Sequence, residues 1–190
     1  PFDRPLSGLL EMPLGRQEMA TDVEPCIDQV VAVMNGPRNT VLAGEAAALE
    51  RAERALAEFS PKRQRVTHAF HSPAMEPAAS AFRAEVGSGM SAGDATMGFY
   101  STLRGHRIDG RDISLDYWSE QMVRPVRFLA AFEALADDAR PTHLIEIGPH
   151  AVLTTLARDI GTSGADCLVP IAGPASVGSE FAQVLATLYT

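Results

Sequence analysis

Two cysteines, Cys26 and Cys167, are all that this 190-residue chain carries. That is too few for the disulfide framework that holds a secreted scaffold of this size together, so a reducing compartment is expected and the cytoplasm fits best. Positive charge is also scarce: 16 Lys and Arg stand against 24 Asp and Glu, a formal net charge of −8. The basic footprint of a nucleic-acid binder is therefore missing. No apolar run approaches the roughly 20 residues that span a bilayer, and no secretory signal pattern opens the chain, so no membrane partner is expected. Pro1 is not a start residue, so either an initiator Met was trimmed or the chain was cut from something longer. What is present is 46% apolar and 21% charged, an ordinary globular composition long enough for one large domain or two small lobes.

Periodicity divides the chain. Residues 1–28 mix Pro, Gly, Met and acids with no sustained period and read as a lead-in. Residues 29–34 and 39–43 are β-favouring runs on either side of Asn35-Gly36-Pro37-Arg38, which predicts a hairpin. Leu49, Ala52, Leu56 and Phe59 then form the apolar stripe of a helix over 45–59. A short strand is predicted over 63–67 and a second helix over 75–86, followed by a Gly/Ser-rich loop. Residues 97–101 read as a buried strand, and 116–123 as a helix whose Tyr117 and Trp118 are core anchors and which Pro125 breaks. Phe128, Phe132 and Leu135 mark the next helical stripe. A strand over 143–147, the Gly148-Pro149 turn and a helix over 151–160 form a strand-turn-helix unit. A strand over 167–171 and a helix over 181–189 close the chain. Alternation of this kind argues α/β layering with a largely parallel sheet.

The stretch richest in chemistry is His68-Ala69-Phe70-His71-Ser72-Pro73, an imidazole at the mouth of a turn after a short strand. A general base often sits in such a place, whereas a lone turn histidine is more often satisfied by backbone groups. Gly89-Met90-Ser91-Ala92-Gly93 matches Gly-x-Ser-x-Gly literally, but it follows a helix and precedes a strand, the reverse of a nucleophile elbow. No carboxylate or thiol accompanies His68 and His71 at ligand spacing, so no metal site is expected. Glu146 reads as a helix-terminus or buried-network carboxylate, His150 as structural, and Asn35 as a turn residue.

Several motifs agree in order: Asn35-Gly36-Pro37-Arg38 before Thr40-Val-Leu-Ala-Gly44, His68-Ala-Phe-His-Ser72, Phe99-Tyr-Ser-Thr102, Tyr117-Trp118, Arg124-Pro-Val-Arg-Phe128 and Glu146-Ile-Gly-Pro-His150. Together they resemble the C-terminal portion of the malonyl-type acyltransferase domain of type I polyketide synthases, from about Gln29 to Tyr189. The resemblance implies an α/β fold. Part of an α/β-hydrolase-like large subdomain with a parallel sheet is joined to an inserted ferredoxin-like small subdomain, the N-terminal side being cut away. Residues 29–66 would belong to the small subdomain, 67–173 to the large one and 174–190 to the segment after it.

The function implied is ping-pong transfer of a malonyl group from coenzyme A through a serine to the phosphopantetheine thiol of an acyl carrier protein, with no bound cofactor. His71 would be the general base, a backbone carbonyl near Arg127 would orient it, and His68 and Phe70 would line the acyl pocket. Phe70 would exclude a branching methyl. The implied partners are the carrier protein, a ketosynthase or other synthase domains, and malonyl-CoA. Two parts of the family pattern are missing: the Gly-His-Ser-x-Gly elbow, and an Arg for the malonyl carboxylate at the expected spacing, where neither Arg4 nor Arg16 falls. A non-catalytic module that binds a carrier protein or a neighbouring synthase domain is the alternative, and a serine hydrolase using Ser91 is a third reading.

Overall fold

The fold was analysed in a computed structural model, which describes residues 7–15, 30–90, 92–161, 164–171 and 179–189. It divides into two units, Pro1–Ala134 and Leu135–Thr190.

The first unit is built on a four-stranded antiparallel sheet of β1 (Ser7–Met12), β2 (Val30–Gly36), β3 (Asn39–Glu45) and β4 (Lys62–Arg63), in the order β2-β3-β1-β4. The hairpin expected around Asn35-Gly36-Pro37-Arg38 is present as β2 and β3. β1 falls within the stretch whose sequence shows no period, yet it is a central strand, paired with β3 from Ser7↔Glu45 to Met12↔Thr40. Its residues alternate half-buried and buried. Only Leu10 and Met12 supply side chains to the inner face. The third inner position is Gly8, whose absent Cβ would sit 3.7 Å from Leu49 Cδ1, so the helix above approaches closely. Two apolar residues and a glycine fall below the threshold of a readable strand pattern.

Helix α1 (Ala46–Ala55) and a 3₁₀ turn at Ala57–Phe59 lie over this sheet. The predicted stripe is the one that packs: Leu49, Ala52 and Leu56 join Leu10, Met12, Leu14 and Leu42 in one core, with Phe59 at its margin. A helix crossing from β3 to β4, with β1 between those strands, gives the split order of a ferredoxin-like subdomain. β4 is shorter than its predicted span. Gln64 N–H still reaches Leu9 O at 3.0 Å, but Val66 N–H turns back to Gln64 O at 2.9 Å, which ends the ladder.

Beyond the sheet, helix α2 (Glu76–Val86) packs against helix α3 (Leu115–Val123) through Met75, Ala79 and Val123. Ser114 Oγ accepts the Tyr117 N–H at 3.2 Å and caps α3. Between these helices, β5 (Phe99–Ser101) and β6 (His106–Ile108) form a second hairpin. The strand expected to be buried over 97–101 starts later, because Met97 is 81% exposed. Ser101, fully buried, shares a 2.8 Å hydrogen bond with the Tyr117 hydroxyl. Tyr117 is thus the anticipated core anchor, but Trp118 lies 40% exposed, edge-on to it. Successive helical residues point about 100° apart, and one core face does not take both.

Helix α4 spans Phe128–Ala139. In the second unit β7 (His143–Ile145) and β8 (Asp166–Leu168) pair in parallel, joined through helix α5 (Leu153–Ile160), and helix α6 (Ser179–Leu188) follows. Among the described residues this β-α-β unit supplies the parallel strand pair, while the other named strands pair antiparallel. No helix among the described residues is long and apolar enough to cross a membrane.

Candidate active site

The turn that carries His71 is held by packing and by two local hydrogen bonds. Ala69 is buried with Ala32 and Ala43, and its N–H donates to Ser7 Oγ at 3.1 Å, which seats the turn on the start of β1. Ser72 Oγ donates back to Ala69 O at 2.6 Å and closes the reversal. His71 between them has φ 59, a left-handed conformation unusual for a residue with a side chain and one that surrounding bonds must hold in place.

Those bonds come from the end of α3. His71 N–H donates to Met122 O at 3.1 Å, and His71 Nδ1 lies 2.9 Å from Gln121 O. Carbonyls in the last turn of a helix lack intrahelical donors, and here the sequence dictates which stay open. The donor four residues after Gln121 would be residue 125, which is Pro125 and has no N–H. The donor four residues after Met122 would be Val126, whose N–H instead bonds Ala32 O at 2.8 Å on β2. Both carbonyls are therefore free to hold His71. A carbonyl only accepts, so Nδ1 carries the ring proton and Nε2 of the neutral ring presents its lone pair.

The orienting carbonyl expected near Arg127 is thus that of Gln121, six residues earlier. Arg127 is engaged elsewhere: its N–H donates to Thr102 O at 2.6 Å and its carbonyl accepts the Ala131 N–H at the start of α4. His68 and Phe70 share the turn but not this tether. Their rings pack on each other at 5.7 Å; Phe70 is 40% exposed, and His68 Nδ1 lies 2.8 Å from Thr67 Oγ1. Asn35 acts within the hairpin, donating to Asn39 Oδ1 at 3.1 Å. Ser91, Cys26, Arg4 and Arg16 lie outside the described residues. Among the described residues no three His, Cys, Asp or Glu side chains come together as a metal site would require. A cleft of about 340 Å³ lined by Glu11, Arg38, Phe59 and Lys62 sits at the opposite end of β1 from the His71 turn.

In the second unit Glu146 is buried and caps α5. Its Oε1 accepts the N–H groups of Val152 at 3.0 Å and Leu153 at 2.9 Å, and its Oε2 accepts the N–H and hydroxyl of Thr154 at 2.8 and 2.7 Å. Burial alone raises the pKa of this carboxyl, but the bonds from Thr154, Leu153 and Val152 outweigh it and hold the group below its ordinary value. The helix-terminus role expected of Glu146 is what the structure shows. His150 is exposed, and its carbonyl accepts the Val152 N–H at 3.0 Å.

A histidine held by a backbone carbonyl lies beside a ferredoxin-like subdomain. The family model described as "Acyl transferase domain" matches residues 10–179; the chain belongs to the acyl transferase domain family. It is 36% identical over 132 residues to the polyketide synthase GfsB of Streptomyces halstedii, covering 68% of this chain and 2% of that protein. It is 32% identical over 165 residues to the highly reducing polyketide synthase ausV of Aspergillus calidoustus, covering 80% and 6%. The acyltransferase domain from the second module of the salinomycin polyketide synthase shares its fold with a TM-score of 0.85 at 31% identity, over 98% of this chain and 44% of that one. A malonyl CoA-acyl carrier protein transacylase from Clostridium perfringens, 20% identical, shares the fold at a TM-score of 0.83 over 98% of this chain and 58% of that one. The chain thus spans a small part of its curated relatives and less than two thirds of these two solved domains.

Proposed function

We propose that this chain provides the base-bearing part of a malonyl-CoA:acyl carrier protein transacylase domain of a polyketide synthase working in the cytoplasm. The tether from His71 Nδ1 to Gln121 O carries this reading, because it fixes the tautomer and leaves Nε2 as the proton acceptor. The nucleophile is a serine on an elbow contributed by the rest of the domain. Nε2 removes the serine proton as the oxygen attacks the thioester carbonyl, and returns it to the sulfur of coenzyme A as that bond breaks. In the second half the phosphopantetheine thiol of the carrier protein gives its proton to Nε2 and attacks the acyl-serine ester; the serine oxygen leaves and takes the proton back. The reaction uses malonyl-CoA and the carrier protein as substrates and needs no resident cofactor.

The test is transfer of labelled malonyl from coenzyme A to a carrier protein by this chain joined to the elbow-bearing part of an acyltransferase domain. Label on the carrier supports the proposal. A joined domain that binds the carrier but never becomes acylated would point to the non-catalytic module instead.

Pro125 and Phe70 give finer checks. Pro125→Ala restores an N–H that lets α3 continue and compete for Gln121 O, so transfer is expected to fall by about 10- to 100-fold as the imidazole loses its orientation. The His71 Nδ1–H signal should broaden with it, and an unchanged rate and signal would remove Pro125 from the arrangement. Phe70→Ala opens the acyl pocket beside the malonyl C2. One methyl group is worth only about 1–3 kcal/mol in such a pocket, so the ratio of methylmalonyl to malonyl transfer is expected to rise about tenfold. A constant ratio would place Phe70 outside the pocket.

A further inference from the structure

Ser72 occupies the position from which a serine caps a helix. It precedes the 3₁₀ turn Pro73–Met75 that leads into α2, its backbone is extended at φ −137 and ψ 165, and yet its hydroxyl caps no N–H of that turn. A serine hydroxyl at a helix start ordinarily accepts such an N–H. Here it points back along the chain and donates to Ala69 O at 2.6 Å. Pro73 supports this arrangement, since the residue before a proline is confined to extended backbone. Both ends of the bond are out of solvent, Ser72 at 3% and Ala69 at 1% exposure, so removing the hydroxyl takes a donor from a buried carbonyl.

The bond encloses Phe70 and His71. His71 lies in the left-handed region at φ 59, and a residue with a side chain stays there only where its surroundings oppose relaxation. Rotation of φ back to the ordinary negative range would carry the imidazole away from Gln121 O, which Nδ1 meets at 2.9 Å. Two side chains hold Ala69 against that rotation from opposite ends: Ser72 Oγ on its carbonyl, and Ser7 Oγ, which accepts its N–H at 3.1 Å from the start of β1. The end of α3 supplies the acceptors for His71, and the two serines fix the backbone from which the imidazole reaches them.

We infer that Ser72 is a positioning residue for the base, with Ser7 as its second support. The hydroxyl keeps the 69–72 reversal closed, the closed reversal keeps His71 left-handed, and a left-handed His71 keeps its ring proton on Nδ1 against Gln121 O with Nε2 open. Calling His71 the base rests on the proposed function; the hold on its ring does not.

The experiment reads the tautomer by nitrogen NMR in the full chain carrying isotope-labelled histidine, at alkaline pH where imidazole is neutral. Wild-type His71 is expected to hold its proton on Nδ1. In Ser72→Ala the Nε2–H form is expected to rise to about half of the population or more. His106, whose Nδ1 lies 2.8 Å from Arg107 O in the β5–β6 hairpin, is the internal control and should not change. Ser72→Thr keeps a hydroxyl on the extended backbone that β-branched residues favour and should keep the wild-type tautomer. In the joined domain Ser72→Ala is expected to lower kcat about 10- to 100-fold with KM for malonyl-CoA unchanged, and Ser72→Thr to restore most of it.

A folded Ser72→Ala with the wild-type tautomer and kcat overturns the inference. So does an equal loss in Ser72→Thr, since the hydroxyl is then not what acts. If Ser72→Ala loses its circular dichroism, Ser7→Ala decides: it frees the Ala69 N–H at a half-buried site, and an unchanged tautomer and rate there overturn the inference too. A tautomer change in Ser72→Ala, with no malonyl transfer by the wild-type joined domain, supports the positioning and counts against the proposed activity. Transfer by the wild-type joined domain, with no response of tautomer or kcat to Ser72→Ala, does the reverse.

Discussion

Replacing His71 with asparagine in a joined, active domain is expected to lower malonyl transfer by about 100- to 10,000-fold, the range that a positioned general base contributes. Asparagine is the informative substitution because position 71 is left-handed, with φ 59, and Asn is among the few residues with a side chain that accept this conformation readily. Its amide also donates to a carbonyl in the manner of Nδ1–H. The bonds from residue 71 to the end of α3 can therefore survive while the lone pair of Nε2 is gone. Tm should stay within a few degrees of wild type and acylation of the serine should nearly cease. Alanine at the same position loses both the base and the tether to Gln121, so the two variants should differ in stability and agree in activity. Wild-type transfer by the asparagine variant would take His71 out of the reaction. A fall in Tm large enough to unfold the chain under assay conditions would assign the loss to folding.

The sequence made His71 visible and hid what holds it. His71 stands in a motif of side chains, whereas its partner is a backbone carbonyl, and every residue has one. The expectation near Arg127 followed the motif Arg124-Pro-Val-Arg-Phe128, and that motif does act on His71 through a different member. Pro125 withholds an N–H from Gln121, and Val126 spends its own on Ala32. The readable signal was the proline four residues after the carbonyl it frees. A similar physical reason separates the legible strands from the hidden one. β2 and β3 carry long β-favouring runs across a turn sequence and were plain. β1 offers two inward side chains and Gly8, because α1 needs the space a side chain would fill. The core of the small subdomain was half legible for that reason: Leu49, Ala52 and Leu56 could be read from their helical spacing, while their partners Leu10 and Met12 could not. Trp118 looked like a core residue by type and was placed outside by its adjacency to Tyr117.

Glu146 is the group whose removal should most weaken the second unit. The carboxylate is buried, 7% exposed, and satisfies three backbone N–H groups and the Thr154 hydroxyl at the start of α5, donors that have no intrahelical acceptor. Glutamine in its place keeps the length but offers one oxygen, and its NH₂ group would face donors. At neutral pH Glu146→Gln is expected to cost about 2–3 kcal/mol, combining the loss of an N-terminal cap with buried donors left unpaired. The loss should be read as faster amide exchange at residues 152–154 and a lower Tm for this unit.

The pH dependence follows from the direction of the shift. The carboxyl titrates below its ordinary value of 4.5 in the folded chain, so the unfolded chain binds the proton more tightly. The stability Glu146 contributes is complete above that ordinary value and is lost as pH falls through the lower folded value. In the wild-type chain the protection of α5 should therefore decline on acidification below pH 4.5. In Glu146→Gln it should already be low at pH 7 and should lack this component of the acid slope. Identical slopes in the two proteins would mean that other carboxyl groups govern the acid response of α5, and that the bonds to Glu146 contribute little to holding the helix in place.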